Sequence, residues 1–172
     1  MPHAFGRRVF SALAIGTAVS CGVQAIEALP APQGRTILSV SGLISNFNNE
    51  GAAEFDRAML EAMGMEDFET TTPWYEGRVR FEGIRMTKLM ASVGATGRNV
   101  TAVALNNYST DIPIADFERY GTLLALKRNG AYMPVRDKGP LFIVYPYDSA
   151  PELKSPQFYT RSAWQVAKLI VS

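Results

Sequence analysis

Glycine and proline punctuate this chain so often that a helical bundle is the wrong expectation. The 14 glycines and 10 prolines interrupt regular pairing, by relaxing the backbone or by removing a donor. Between them lie short segments rich in β-branched and aromatic residues, the pattern of many strands joined by turns. At 172 residues the chain is about one domain long and buries roughly two thirds of its unfolded surface. Hydrophobic residues make up 47% and charged residues 19%, which excludes an acidic disordered tail and a charged coiled coil. Seventeen basic against sixteen acidic side chains imply no basic face, so no nucleic acid partner is expected.

Residues 36 to 44, TILSVSGLI, read as an opening strand, and 46 to 51 as a polar turn. Over Ala52–Met63 the apolar Phe55, Met59, Leu60 and Met63 recur at helical spacing, and Gly64 ends the run. Short strands are predicted over 68–72 and 79–81, and a second helix over 85–92. Further strands follow at 100–105, 110–114, 123–127 and 132–133, with one or two helical turns over 115–120. Asn129-Gly130 is the tight turn of a hairpin. LFIVY, 141–145, is the most hydrophobic run and the expected central strand. Residues 148–156 show no pattern, and 164–171 read as a closing strand. The helices do not alternate regularly with strands, and no phosphate-binding glycine loop occurs. The fold class predicted is α+β, a mainly β single domain.

The N-terminus has the three parts of an export signal: Arg7 and Arg8 without acids, the uncharged run Val9–Val23, and small residues ending at Ala25. The run is about 15 residues, shorter than the ~20 that span a bilayer. The expected organisation is a signal peptide over 1–25, a flexible linker over 26–35 and the domain over 36–172, with the mature protein periplasmic or secreted. Arg7-Arg8-Val9-Phe10 is similar to the core of a twin-arginine signal. The lipoprotein alternative at Cys21 lacks the usual leucine three places earlier. Cleavage after Ala25 removes the single histidine, His3, and the single cysteine, Cys21. A metal cluster of His and Cys, a Ser-His-Asp triad and a disulfide are thereby excluded from the folded part.

The remaining chemistry rests on carboxylates, cations, hydroxyls and rings. Arg136-Asp137-Lys138 precedes the hydrophobic strand, where a basic pair can hold an anion with Asp137 fixing one cation, or merely solubilise a loop. Tyr108 stands at a polar turn and lines a cleft or bonds locally. In TTTPWY, three hydroxyls precede Trp74 and Tyr75, rings that cover a ligand or plug the domain edge. Tyr159 and Trp164 read as packing, and Tyr145 and Tyr147 as a site rim. Glu66, Asp67 and Glu69 are bunched too tightly, in an expected exposed turn, for an acid–base pair.

Three pieces in order, FEGIRMTKLMASVGA, VTAVALNNYSTDIPIADF and LLALKRNGAYMPVRDKGPLFIVYP, resemble the pterin-binding domain of sulfite-oxidase-type molybdenum enzymes. The likeness extends to YTRSAWQVAKLIV and covers roughly residues 36 to 172. It is nearest to a short exported single-domain branch sharing RDKGP and TTTPW. The resemblance implies a mostly β fold that encloses molybdopterin, with a cysteine thiolate on molybdenum. The matching place, counted back from Gly83, is near Thr71, and a hydroxyl is a poor ligand for that metal. The cofactor-gripping lysines expected after the hydrophobic strand are replaced by Pro146-Tyr147-Asp148, leaving Lys154 and Arg161 as more distant cations. Thr71, Trp74, Tyr108, Arg136 and Lys138 are the candidate cofactor or ligand residues. Three readings follow: a molybdopterin oxidoreductase, a metal-free domain binding a small anionic ligand, and a domain for a periplasmic or membrane protein partner. Convergence of the five on a cavity favours a ligand; a flat patch of Trp74 and Tyr75 favours a protein.

Overall fold

The computed structural model describes Met1 and residues 28–172. Apart from Met1, the expected export signal lies outside the described residues, as does the start of the linker. Among the described residues there are ten strands and four short α-helices, an α+β domain dominated by strands.

The first sheet runs β2-β1-β10-β5-β6, from β1 (Leu38–Gly42), β2 (Ala52–Phe55), β5 (Asn99–Ala104), β6 (Ser109–Pro113) and β10 (Val166–Val171). The closing strand β10 lies parallel to β1 and antiparallel to β5. The second sheet runs β3-β4-β7-β8, from β3 (Glu66–Thr72), β4 (Tyr75–Arg85), β7 (Leu123–Arg128) and β8 (Ala131–Tyr132). Strand β9 (Phe142–Val144) also pairs with β7. One core draws on both sheets, with Leu38, Phe55, Phe81, Leu124, Phe142 and Leu169 fully buried.

The helix expected over Ala52–Met63 is two elements. Ala53 and Phe55 are buried alternately with their neighbours, the period of a strand, and pair with β1. Asp56 then accepts from the Met59 N–H at 2.9 Å and starts α1 (Arg57–Ala62). The other oxygen of Asp56 accepts from the backbone of Gln33 and Gly34 at 2.9 and 2.7 Å, tying the end of the predicted linker to the domain. These backbone donors, that of Met59 first, hold the Asp56 carboxyl below the usual range. Helices α2 (Met86–Ser92) and α3 (Ala115–Tyr120) fall where expected. In the patternless region, 3-10 turns at Tyr147–Ser149 and Pro151–Leu153 lead into α4 (Pro156–Arg161), six residues long and too short to show helical periodicity. The bunched acids Glu66, Asp67 and Glu69 lie on β3 rather than in a turn. There Glu66 meets Arg85 and Lys88, Asp67 meets Arg80, and Glu69 meets Arg78.

Gly83 sits at the irregularity where β4 shifts register against β7. A Cβ there would run into the backbone of Leu124 and Ala125. Gly83→Ala is therefore expected to lower stability by about 1–3 kcal/mol through overpacking, read as a lower urea midpoint. A midpoint equal to that of the unaltered protein would refute the close approach.

Candidate functional site

The β3–β4 hairpin turns at Pro73 and Trp74, where the Thr72 hydroxyl accepts from the Trp74 and Tyr75 N–H groups at 3.3 and 3.1 Å. That turn aims the Trp74 indole between four other rings. Their centroids lie 5.5 Å away at Phe142, 6.1 Å at Tyr147, 5.9 Å at Tyr159 and 5.4 Å at Trp164, all edge-to-face. Phe142 and Tyr147 are buried beneath, while Trp74, Tyr159 and Trp164 each keep an accessible part.

Above this seam is a cavity of about 440 Å³ lined by Trp74, Tyr108, Tyr159 and Trp164, with Ala104, Asn106, Pro156, Thr160 and Ser162 between them. Helix α4 carries Tyr159 and Thr160; the β5–β6 turn carries Asn106 and Tyr108. Asn107 takes a left-handed φ of 66° in that turn, and Asn106 Oδ1 accepts from the Tyr108 N–H at 3.0 Å. The Tyr108 hydroxyl reaches across the mouth and donates to the Thr160 carbonyl at 3.1 Å. Among the described residues no charged side chain lines the cavity.

The other expected site residues, Thr71, Arg136 and Lys138, are not in the lining of this cavity. The Thr71 hydroxyl donates to Asp148 Oδ1 at 2.6 Å, and its N–H to Asp148 Oδ2 at 2.7 Å. Lys154 Nζ lies 2.7 Å from Oδ1, and Arg78 lies 3.6 Å from Oδ2. Lys154 and then Thr71 hold the Asp148 carboxyl far below the usual range. Lys138 stands at a left-handed φ of 63° after the 3-10 turn Val135–Asp137. Its ammonium lies 4.7 Å from the Trp164 ring centroid and 5.3 Å from that of Tyr75. Asp137 fixes neither neighbour in its sequence; it pairs with Arg128 at 2.8 Å and accepts from the Tyr75 hydroxyl at 2.9 Å. Burial, reinforced by this bond to Asp137, pushes the Tyr75 phenol up to about 12. Arg136 is exposed.

Tyr145 and Tyr147 are fully buried rather than on a rim. The Tyr145 hydroxyl donates to Asp116, which Arg161 also meets at 2.8 Å; that of Tyr147 bonds with Ser162. Tyr159 and Trp164, read from sequence as packing, are walls of the cavity. Asp148 was hidden in the patternless region; its partner Thr71 is 77 positions away.

The family model of the oxidoreductase molybdopterin binding domain matches residues 52–150, more than half of the chain. The protein belongs to this family. No curated protein matches it. The match spans the β3–β4 hairpin, the β5–β6 turn and the Thr71–Asp148 pair, but ends before Lys154 and α4.

The donors of this family member do not fit a thiolate-held molybdenum. Among the described residues no group of three or more His, Cys, Asp or Glu side chains is gathered. The Thr71 hydroxyl, in addition, is already donated to a carboxylate, and a hydroxyl is a poor ligand for a soft metal. Nor does the uncharged lining of the cavity offer a cation to an anionic cofactor.

The depressed Asp148 carboxyl stabilises the fold fully above its unfolded value of about 3.9, and this contribution is lost as pH falls through its lower folded value. Asp148→Asn should therefore lower stability at pH 7 by about 1.5–3 kcal/mol, the usual range for hydrogen bonds to a charged group. The difference should shrink as the pH is lowered below about 4. Urea midpoints of both proteins across pH 2–7 measure it; a gap independent of pH contradicts the assignment.

Proposed function

We propose that this protein is an exported, non-catalytic member of the molybdopterin-binding family that binds an uncharged, flat, largely apolar small molecule. The cavity between Trp74, Tyr108, Tyr159 and Trp164 is the binding site. The observation that carries this reading is its lining: four aromatic rings and neutral polar groups, with no charged side chain among the described residues, around about 440 Å³. That volume is within the ~300–1,000 Å³ usual for small-molecule pockets. Rings fixed edge-to-face by the protein present faces and edges to a planar guest at small entropic cost. Asn106, Thr160 and Ser162 supply neutral hydrogen-bonding partners for orientation.

The replacement of the thiolate position by Thr71, together with the loss of Cys21 and His3 when the leader is removed, supports a metal-free role. Such a protein keeps the family fold without the family reaction. The leader supports a place in the periplasm or outside the cell. The anionic ligand expected from Arg136 and Lys138 is not favoured, because Lys138 faces rings and Arg136 lies outside the cavity lining.

Trp74 and Trp164 are the two tryptophans of the chain and both line the cavity, so intrinsic fluorescence reports its occupancy. The uncharged dye N-phenyl-1-naphthylamine should bind one to one and quench this emission by energy transfer. Tyr159→Ala should weaken binding about tenfold or more, equivalent to about 1.4 kcal/mol, and Arg136→Ala should leave it unchanged. Dye binding that does not saturate, or that survives Tyr159→Ala, removes the reading. Elemental analysis of the protein isolated from its native compartment should give well under one molybdenum per chain; a stoichiometric content would restore the cofactor-dependent reading.

A further inference from the structure

We propose that Thr71, Lys154 and Arg78 form a binding site for a small oxyanion, which the chain fills from within with the Asp148 carboxylate. The four donors come from three separate parts of the fold: the end of β3, the first half of β4 and the segment after the Pro151–Leu153 turn. They divide between the two oxygens. Oδ1 receives the Thr71 hydroxyl at 2.6 Å and the Lys154 ammonium at 2.7 Å. Oδ2 receives the Thr71 N–H at 2.7 Å and faces the Arg78 guanidinium at 3.6 Å. A backbone N–H, a hydroxyl and two cations are the complement by which proteins hold free carboxylates, sulfates and phosphates.

The cradle does not depend on the side chain that fills it. The Asp148 N–H donates separately to the buried Thr70 hydroxyl oxygen at 3.0 Å, so the Tyr147–Ser149 turn stays attached to β3 without the carboxylate. Arg78 is held also by Glu69, whose backbone carbonyl accepts from it at 3.2 Å. The site is open to solvent on one side: the Lys154 and Arg78 side chains are 50% and 60% exposed, against 19% for Asp148. A dissolved anion can therefore reach the donors once the carboxylate is absent. In the unaltered protein the tethered carboxylate is present at high effective concentration and outcompetes any free anion. This inference does not rest on the aromatic cavity, and the dye experiment does not bear on it.

The test is rescue of Asp148→Ala by formate, the smallest carboxylate. Its thermal midpoint should fall below that of the unaltered protein and rise saturably with sodium formate, regaining at least about half of the loss. Sodium chloride at equal ionic strength should give little of this recovery. The unaltered protein should show no saturable response, and adding Lys154→Gln to Asp148→Ala should abolish the rescue. If Asp148→Ala does not fold in chloride, refolding it in formate should recover native near-ultraviolet circular dichroism. Failure in both salts, a response to formate no larger than to chloride, or the same response in the unaltered protein overturns the proposal.

Discussion

The edge-to-face seating of Trp74 is the contact on which the two sheets, α4 and the cavity all depend. The indole leaves the β3–β4 hairpin of one sheet. It meets Phe142 on β9, Tyr147 on a 3-10 turn, Tyr159 on α4 and Trp164 just before β10 of the other sheet. Phe142 itself packs on Phe81 and Trp164, so the seam continues into the core. A single half-buried ring therefore acts as plug and as wall: its inner side fills space between strands, and its remaining surface bounds a cavity. The two roles need not compete, because close packing below is what holds the wall still above.

The cations around this seam are engaged by groups of the same chain. Arg128 is paired with Asp137 and stacked over the Tyr75 ring at 4.2 Å. Lys138 lies against Trp164 and Tyr75, Arg161 against Asp116, and Lys154 against Asp148. In a fold whose family binds an anionic cofactor, this distribution turns positive charge toward internal carboxylates and ring faces, leaving the aromatic cavity neutral. The fold is that of the family, while among the described residues no cluster of three or more His, Cys, Asp or Glu side chains is gathered for a metal; a shared fold does not by itself carry a shared reaction.

Much of the architecture was legible because it is local. The hairpin at Asn129-Gly130 joins β7 to β8, as two residues tolerant of positive φ require. Helix α2 follows the apolar stripe of Met86, Leu89 and Met90; the LFIVY run is buried as expected but yields only the three-residue β9, Phe142–Val144, which pairs with β7 alone among the strands and is not the central strand its hydrophobicity suggested. Misreadings fell where local signals overlap. Ala52–Phe55 and the following helix share apolar residues that satisfy a helical period, and only Asp56 as a cap separates them. Helix α4 has one full turn and a half, starts at a proline and offers no period to detect. At the site, Trp74 and Tyr108 were recognisable as accessible ring-bearing turns, whereas Tyr159 was indistinguishable from ordinary packing.

The amino-acid sequence by itself determined the inventory of chemistry: one cysteine and one histidine, both within the first 25 positions, and hydroxyls, carboxylates and rings for everything after. It also determined that short strands would dominate, since glycine, proline and period-two alternation act within a few residues. Only the tertiary structure decided that Thr71 clasps Asp148 across 77 positions and that Trp74, Tyr108, Tyr159 and Trp164 share one cavity. Such partnerships follow from the register of sheets and the path of connections, which no local pattern contains: the same hydroxyl or ring reads alike whether its distant neighbour is solvent, a carboxylate or another ring.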